Sequence, residues 1–140
     1  MSDVTPVRDP KAGALPTPLI FDHVGFNVSD FAASRAFYVH ALAPLGIGVV
    51  MEGEGWAMLG REGKGQFWIG AFGKPPGPIH IAFGAADREQ VRRFHEAAIA
   101  AGGKDNGGPG IRANYHPNYY AAFVHGPDGH NVEAVCHAPE

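Results

Sequence analysis

The feature that most constrains how this chain folds is an internal repeat with an offset of 57 positions. His23 and His80, each set within an apolar segment, are separated by this offset, and so are Asp30 and Asp87. Further pairs share it: Phe26 and Phe83, Phe37 and Phe94, Ala41 and Ala98, and Gly46 and Gly103. Constant spacing of this kind indicates two copies of one supersecondary unit. We therefore expect two halves, related by a pseudo-twofold axis, that face each other across a cleft.

Each half is predicted to follow the order βαβββ. Strands are expected near residues 20–28, 48–51, 55–59 and 66–71 of the first half, and near 79–83, 111–114, 119–125 and 131–135 of the second. The first helix follows Ser29 or Asp30, and the second, at 88–101, follows Asp87, because these side chains can cap a helix N-terminus. The predicted class is α+β: two tandem modules, about 18–73 and 78–137, that form a curved mixed sheet around a cleft.

The sequence before these modules shows little apolar periodicity. Residues 1–17 carry three prolines and are expected to form a flexible N-terminal arm, and residues 18–140 a single domain. The net charge of -3 without a long basic run argues against nucleic acid or a membrane as partner. No secretory signal pattern is recognised, and Cys136 as the lone cysteine permits no internal disulfide. A cytoplasmic protein acting on a small molecule is the simplest expectation.

Glu133 lies in an apolar segment whose inward face should be buried. A buried carboxylate is costly unless it is paired or binds a cation, and its sequence neighbours include no lysine or arginine. The repeat places His23 and His80 at matching points on the first strand of each half, so both imidazoles could converge with Glu133 on the cleft. Such a set suits one divalent metal, namely Fe(II), Mn(II), Zn(II), Ni(II) or Co(II).

Three segments also resemble a known family. They are FDHVGFNV at 21–28, PIHIAF at 78–83 and YYAAFVHGPDGHNVE at 119–133. In their order and duplication they resemble the vicinal oxygen chelate superfamily, which includes glyoxalase I, bleomycin resistance proteins and extradiol dioxygenases. The resemblance implies paired βαβββ modules around a metal that binds substrate through two adjacent oxygens. It maps the metal ligands onto His23, His80 and Glu133, and it implies a homodimer.

The chain departs from two branches of that superfamily. Glyoxalase I has a fourth ligand where this repeat places Trp68, and an indole cannot bind a metal. The three-ligand set resembles the extradiol dioxygenases more closely, and His116 lies about where their conserved histidine belongs. Phe123 stands where those enzymes have a tyrosine, and Gly126 stands where they have an aspartate.

Other side chains are candidates for roles around the metal. His116 could act as a general acid or base, and Tyr120 as a hydrogen-bond donor to a metal-bound oxyanion. Tyr119 and Tyr120 alternate along a strand, so only one of them reaches the cleft. Trp68, Phe123 and Tyr119 are expected to form the substrate pocket. The glycine-rich segment 102–110 is a hypothetical mobile lid, and His125 and His130 are expected to face solvent.

Three functions remain open from the sequence. The first is a metal-dependent enzyme acting on a small substrate chelated through adjacent oxygens, with an extradiol-dioxygenase-like site slightly preferred. The second is a non-catalytic binding protein of the bleomycin-resistance kind, which has no need for a His/His/Glu set. The third is a glyoxalase I-like lyase whose fourth ligand is water or comes from elsewhere.

Overall fold

The computed structural model describes residues 19–140. The predicted arm at 1–17 therefore lies outside the described residues. The helices are α1 Phe31–Leu42 and α2 Arg88–Ala100. The strands are β1 Val24–Asn27, β2 Gly48–Gly53, β3 Trp56–Arg61, β4 Lys64–Gly70, β5 His80–Gly84, β6 Lys104–Asp105, β7 Gly110–Ile111, β8 Tyr120–His125 and β9 Asn131–Cys136. Within residues 19–140, neither helix is long and apolar enough to cross a membrane.

The strands form two mixed sheets, one from each half of the chain. The N-terminal sheet has the order β1-β4-β3-β2, and the C-terminal sheet has the order β5-β9-β8-β6, with β7 also paired to β8. In both sheets the first strand runs parallel to the last, and the remaining pairs are antiparallel. The predicted α+β fold of two βαβββ units is confirmed.

Strand register shows that the sequence repeat is also a structural repeat. Gly25 of β1 lies opposite Trp68 of β4, and Ala82 of β5 lies opposite Glu133 of β9. Gly25 and Ala82 are 57 positions apart, which is the offset of the sequence repeat. Trp68 and Glu133 are 65 positions apart, because the second half has a longer loop before its last two strands. Trp68 and Glu133 therefore occupy equivalent positions in the two sheets.

Both helices begin as the sequence predicts. The Asp30 side chain accepts a hydrogen bond from the Ala33 N–H at 3.0 Å, and the Asp87 side chain accepts one from the Gln90 N–H at 2.8 Å. Each bond satisfies one of the backbone donors that a first helical turn leaves without a partner. Ser29, the other candidate cap, instead donates its backbone N–H and its hydroxyl to Asp128.

The repeated apolar residues form one core shared by the two sheets. Phe37 and Phe94, which are equivalent in the repeat, are almost fully buried. The rings of Phe67 on β4 and Phe83 on β5 meet edge to face, with centroids 5.2 Å apart. One face of each sheet therefore packs into this common core, and the opposite face is left for other contacts.

The second half differs from its prediction between α2 and β8. The prediction of a strand at 111–114 is wrong, because only Gly110–Ile111 pairs with a neighbouring strand. The Arg112 N–H donates to the Tyr119 carbonyl at 2.7 Å and closes the chain into a loop, which is called the 112–119 loop below. Pro117 inside it has no N–H to offer a neighbouring strand.

The segment 102–110 is held to the C-terminal sheet. β6 pairs with β8, the Asn106 N–H donates to the Phe123 carbonyl at 3.0 Å, and the Phe123 N–H donates to the Gly107 carbonyl at 2.8 Å. This ladder extends the sheet edge. It argues against the mobile lid that glycine content suggested.

Candidate metal centre

Glu133 is a fully buried carboxylate in the middle of β9, with 0% of its surface exposed. His80 Nε2 lies 2.7 Å from Glu133 Oε1, and the Tyr119 hydroxyl donates to Glu133 Oε2. Among residues 19–140, no lysine or arginine forms an ion pair with this carboxylate. Glu133 is thus desolvated and hydrogen-bonded but lacks a permanent positive charge beside it.

Strand pairing brings His80 and Glu133 together. β5 and β9 are parallel neighbours, with His80 opposite Asn131 and Ala82 opposite Glu133. Side chains two residues apart on one strand share a face, so His80 and Glu133 project from the same face of the C-terminal sheet. The His80 side chain is 54% exposed, so this donor pair is buried at the carboxylate and open at the imidazole.

Phe123 forms a wall beside the pair. It lies opposite Glu133 on β8, and its ring centroid is 6.3 Å from that of His80. The Arg112 guanidinium lies 5.2 Å from the Phe123 ring and donates to the carbonyls of Gly108, Gly110 and Ala121. These carbonyls hold the Arg112 cation, so it forms no hydrogen bond with Glu133.

The two neighbouring tyrosines have different surroundings. Tyr119 reaches Glu133, and burial followed by this hydrogen bond raises the pKa of Tyr119 to about 12, so the phenol keeps its proton near neutral pH. Tyr120 projects from the other face of the strand, 5.0 Å beneath the Arg88 guanidinium, and its hydroxyl accepts from Arg92 at 3.2 Å. The structure gives Tyr119, and not Tyr120, the position beside the donor pair.

His116 lies in the 112–119 loop, farther from Glu133 than Tyr119. Its Nδ1 accepts a hydrogen bond from the Asn118 N–H at 3.0 Å, so the proton of the neutral ring is on Nε2. The His116 ring packs edge to face on His137 at 5.7 Å, and His137 packs on Tyr119 at 5.2 Å. His116 is thus linked to the donor pair through an aromatic contact chain.

His23, the third predicted ligand, lies on the N-terminal sheet. Its Nδ1 is 2.8 Å from Asp22 Oδ1, and the hydrogen bond from His23, together with Lys64, lowers the pKa of Asp22. Asp22 therefore stays ionised and orients the imidazole, and within residues 19–140 Nε2 forms no hydrogen bond. Within residues 19–140, no three His, Cys, Asp or Glu side chains are close enough to share a metal ion. The chain brings together two of its three predicted donors.

The surroundings of His23 are mainly apolar. His23 contributes to an open cavity of about 530 Å³ on the face of the N-terminal sheet turned away from the core, together with Met58, Trp68 and Phe72. Trp68 and Phe72 stack with ring centroids 6.0 Å apart. The indole lies directly over Gly70, where an added Cβ would be 2.3 Å from it, so any larger residue there would displace the indole.

His130 is a structural residue that the sequence interpretation placed wrongly. It is 0% exposed, its Nδ1 accepts the Ile79 N–H at 3.0 Å, and its ring lies 4.8 Å from that of Phe26. Alternation provided the missed signal, because His130 has the same parity as Val132 and Ala134, which face the core. His125, expected at the surface, is exposed.

The profile of the glyoxalase/bleomycin resistance protein/dioxygenase superfamily matches residues 20–134. The chain belongs to this superfamily. A search of curated proteins gives no match.

Solved structures of the superfamily agree in fold. A glyoxalase/bleomycin resistance protein from Albidiferax ferrireducens T118 is 32% identical with a TM-score of 0.73, covering 83% of this chain and 98% of that one. A putative glyoxalase from Bacillus halodurans is 26% identical with a TM-score of 0.63, covering 84% and 95%. Glyoxalase I from Zea mays, at 19% identity and a TM-score of 0.63, shares the fold over 86% of this chain and 45% of its own length.

Proposed function

We propose that this protein is a divalent-metal-dependent enzyme that acts on a small substrate held through two adjacent oxygens. The observation that carries the proposal is the fully buried Glu133 carboxylate, which contacts His80 but, among the described residues, no lysine or arginine. A bound cation would supply the missing charge, and an imidazole with a carboxylate suits Fe(II), Mn(II), Zn(II) or Ni(II). The donor chemistry therefore fits the metal that the superfamily implies.

His80 and Glu133 would hold the metal from this chain. Such a cation supplies Lewis-acid polarisation of substrate oxygens. Phe123 and the 112–119 loop would exclude water from the carboxylate side, while the exposed side of His80 leaves an approach for substrate. His116 would carry a proton at Nε2, because the Asn118 N–H occupies its Nδ1.

The third donor is proposed to be His23 of the partner subunit in a homodimer. In the described chain, β1 and β5 each hydrogen-bond to one neighbour only, so both present a free strand edge. His23 precedes one of these edges and His80 begins the other. A second copy that joins β1 of one subunit to β5 of the other would bring the two halves of the donor set together, and the symmetry would create two equal sites.

The choice of reaction follows from the donor set. Trp68 occupies the position equivalent to Glu133, so the proposed site has three protein ligands and not the four of glyoxalase I. Three ligands leave open positions for a bidentate substrate, which favours extradiol-dioxygenase-like chemistry slightly over a lyase. Incubation with catechols under Fe(II) and air, and with a hemithioacetal under Ni(II) or Zn(II), separates the two.

A non-catalytic binding protein is the second candidate. The stacked Trp68 and Phe72 rings beside an open cavity of about 530 Å³ favour it, because such a surface suits a flat ligand. Titration of a planar aromatic ligand into Trp68→Ala and His80→Ala separates the candidates. A pure binder loses affinity only with Trp68→Ala, whereas the proposed enzyme loses affinity for a chelating ligand with His80→Ala.

The test of the metal proposal is a mixing experiment. We expect purified wild type to bind one metal per chain, and His23→Ala and His80→Ala each to bind weakly. Unfolding and refolding the two variants together should restore one intact site in each mixed dimer, because the intact His23 and the intact His80 come from different chains. Absence of stoichiometric metal in the wild type would end the enzyme proposal. If both variants bind metal weakly and the mixed dimer does too, only the proposal of a site shared between subunits fails.

A further inference from the structure

We propose that Tyr119 is a positioning residue for the metal ligand Glu133, rather than a wall of the substrate pocket. This inference rests on the proposed function. The Tyr119 hydroxyl donates to Glu133 Oε2, whereas His80 Nε2 faces Oε1 at 2.7 Å. The two oxygens of one carboxylate thus have different tasks. Oε2 is held by the protein, and Oε1 is the oxygen turned toward the other donor.

The surroundings of Tyr119 fix its ring. Tyr115 of the same loop packs edge to face on it at 5.0 Å, and His137, which follows β9, does the same at 5.2 Å. The Tyr119 backbone is also held, because its carbonyl accepts from the Arg112 N–H at 2.7 Å and its N–H donates to the His116 carbonyl at 3.1 Å. A hydroxyl on a ring held this way orients its partner instead of following it.

Arg112 explains why the held loop stays in place. Its guanidinium donates to two carbonyls just before the loop, Gly110 at 2.8 Å and Gly108 at 2.9 Å, and to the carbonyl of Ala121 on β8 just after it, at 3.3 Å. These contacts tie the 112–119 loop to the C-terminal sheet. The position of the Tyr119 hydroxyl is therefore set by the fold before any metal arrives.

The consequence concerns how Glu133 would hold a metal. With Oε2 engaged by Tyr119, a bound metal would favour Oε1 of Glu133, which would leave one more coordination position for substrate. Hydrogen bonds to the outer side of a ligand typically change metal affinity by about 10–100-fold when removed. Without the hydroxyl, the carboxylate can rotate and bind through both oxygens.

The experiment compares Tyr119→Phe with Tyr115→Phe. Tyr115→Phe removes a hydroxyl from the same loop at a residue that is 64% exposed and does not touch Glu133. Co(II) is the probe, titrated alone and followed by its d–d absorption. We expect the Co(II) dissociation constant to rise about 10–100-fold in Tyr119→Phe, with weaker d–d bands as the coordination number increases. Tyr115→Phe should have the same Co(II) dissociation constant and the same d–d absorption as wild type.

Each other outcome has a distinct meaning. If Co(II) binds wild type and Tyr119→Phe with equal affinity and equal spectra, Tyr119 does not position Glu133, and the proposed function stands. If Tyr119→Phe changes only the KM for a chelating substrate, Tyr119 is a pocket residue and the inference fails. If wild type binds no Co(II), Mn(II), Fe(II), Ni(II) or Zn(II), the proposed function fails and the inference fails with it.

Discussion

The outer faces of the two sheets show how far two copies of one unit have diverged. Equivalent positions carry Trp68 in the N-terminal sheet and Glu133 in the C-terminal sheet. Trp68 is half-buried and stacks on Phe72 in an open cavity, whereas Glu133 is fully buried beneath the 112–119 loop. The longer connection in the second half supplies that loop. Backbone pairing was kept in both copies, and the difference in chemistry arose from one side chain and the segment that covers it.

The largest expected effect comes from neutralising the buried carboxylate. Glu133→Gln keeps the size of the side chain but removes its charge. The affinity of the protein for the metal should fall by more than about 100-fold, which exceeds the effect of losing a hydrogen bond to a metal ligand. The metal-free variant should unfold at higher denaturant concentration than metal-free wild type, because a buried charge without a cation is costly. Glu54→Gln at an exposed turn is the control, and equal affinities in the two variants would contradict the assignment of Glu133.

Removing the aromatic counterpart should change stability far more than metal affinity, because an indole does not bind a metal. Trp68→Ala exposes β4 and breaks the stack on Phe72, with an expected loss of about 1–2 kcal/mol in the free energy of unfolding because only part of the indole is buried. Denaturant unfolding measures this loss, with Phe21→Ala as a more exposed aromatic control. A loss of metal affinity as large as that of Glu133→Gln would show that the two faces are more alike than proposed.

The buried His130 should make stability depend on pH. Burial lowers the pKa of His130, and the Asp128 charge opposes this in part. The unfolded chain takes up the proton near the ordinary value of about 6.5, and the folded chain only at lower pH. The stabilisation is therefore complete above that value and lost as pH falls toward the folded pKa, by at most about 1.4 kcal/mol per pH unit.

His130→Asn is the matched variant for this test. The asparagine carbonyl can accept the Ile79 N–H in place of Nδ1, and it does not titrate. Unfolding measured from about pH 7 to pH 5 should show a shallower slope in His130→Asn than in wild type. If the unfolding free energy depends on pH equally in both proteins, groups other than His130 cause the loss of stability in acid.

The smallest expected effect concerns the helix caps, a feature that the two halves still share. Asp30→Ala and Asp87→Ala each remove one helix cap and should each lower the free energy of unfolding by about 1 kcal/mol. Asp30→Asn and Asp87→Asn retain a side-chain acceptor and should lose little. A loss several times larger in one half would show that the repeat is no longer equivalent at its helix starts.

The 57-residue repeat predicted the fold well, because helix caps, core positions and strand positions depend on local pattern. Asp30, Asp87 and the buried Phe37 and Phe94 all lie where that repeat places them. Predictions were less accurate where long-range contacts decide. His130 was expected in solvent, and the strand at 111–114 proved to be mainly loop, because its conformation is set by Arg112 and Tyr119 rather than by its own residues.

The sequence by itself determined the doubled βαβββ architecture and the burial of an acid at position 133, because periodic side-chain patterns specify faces and offsets. Only the tertiary structure decided what surrounds that acid. Register joined it to His80, loop closure gave it Tyr119 in place of Tyr120, and His23 contacts Asp22 instead of joining the donor pair. These contacts join residues far apart in the chain, and their geometry follows from packing and loop closure, which local sequence patterns do not encode.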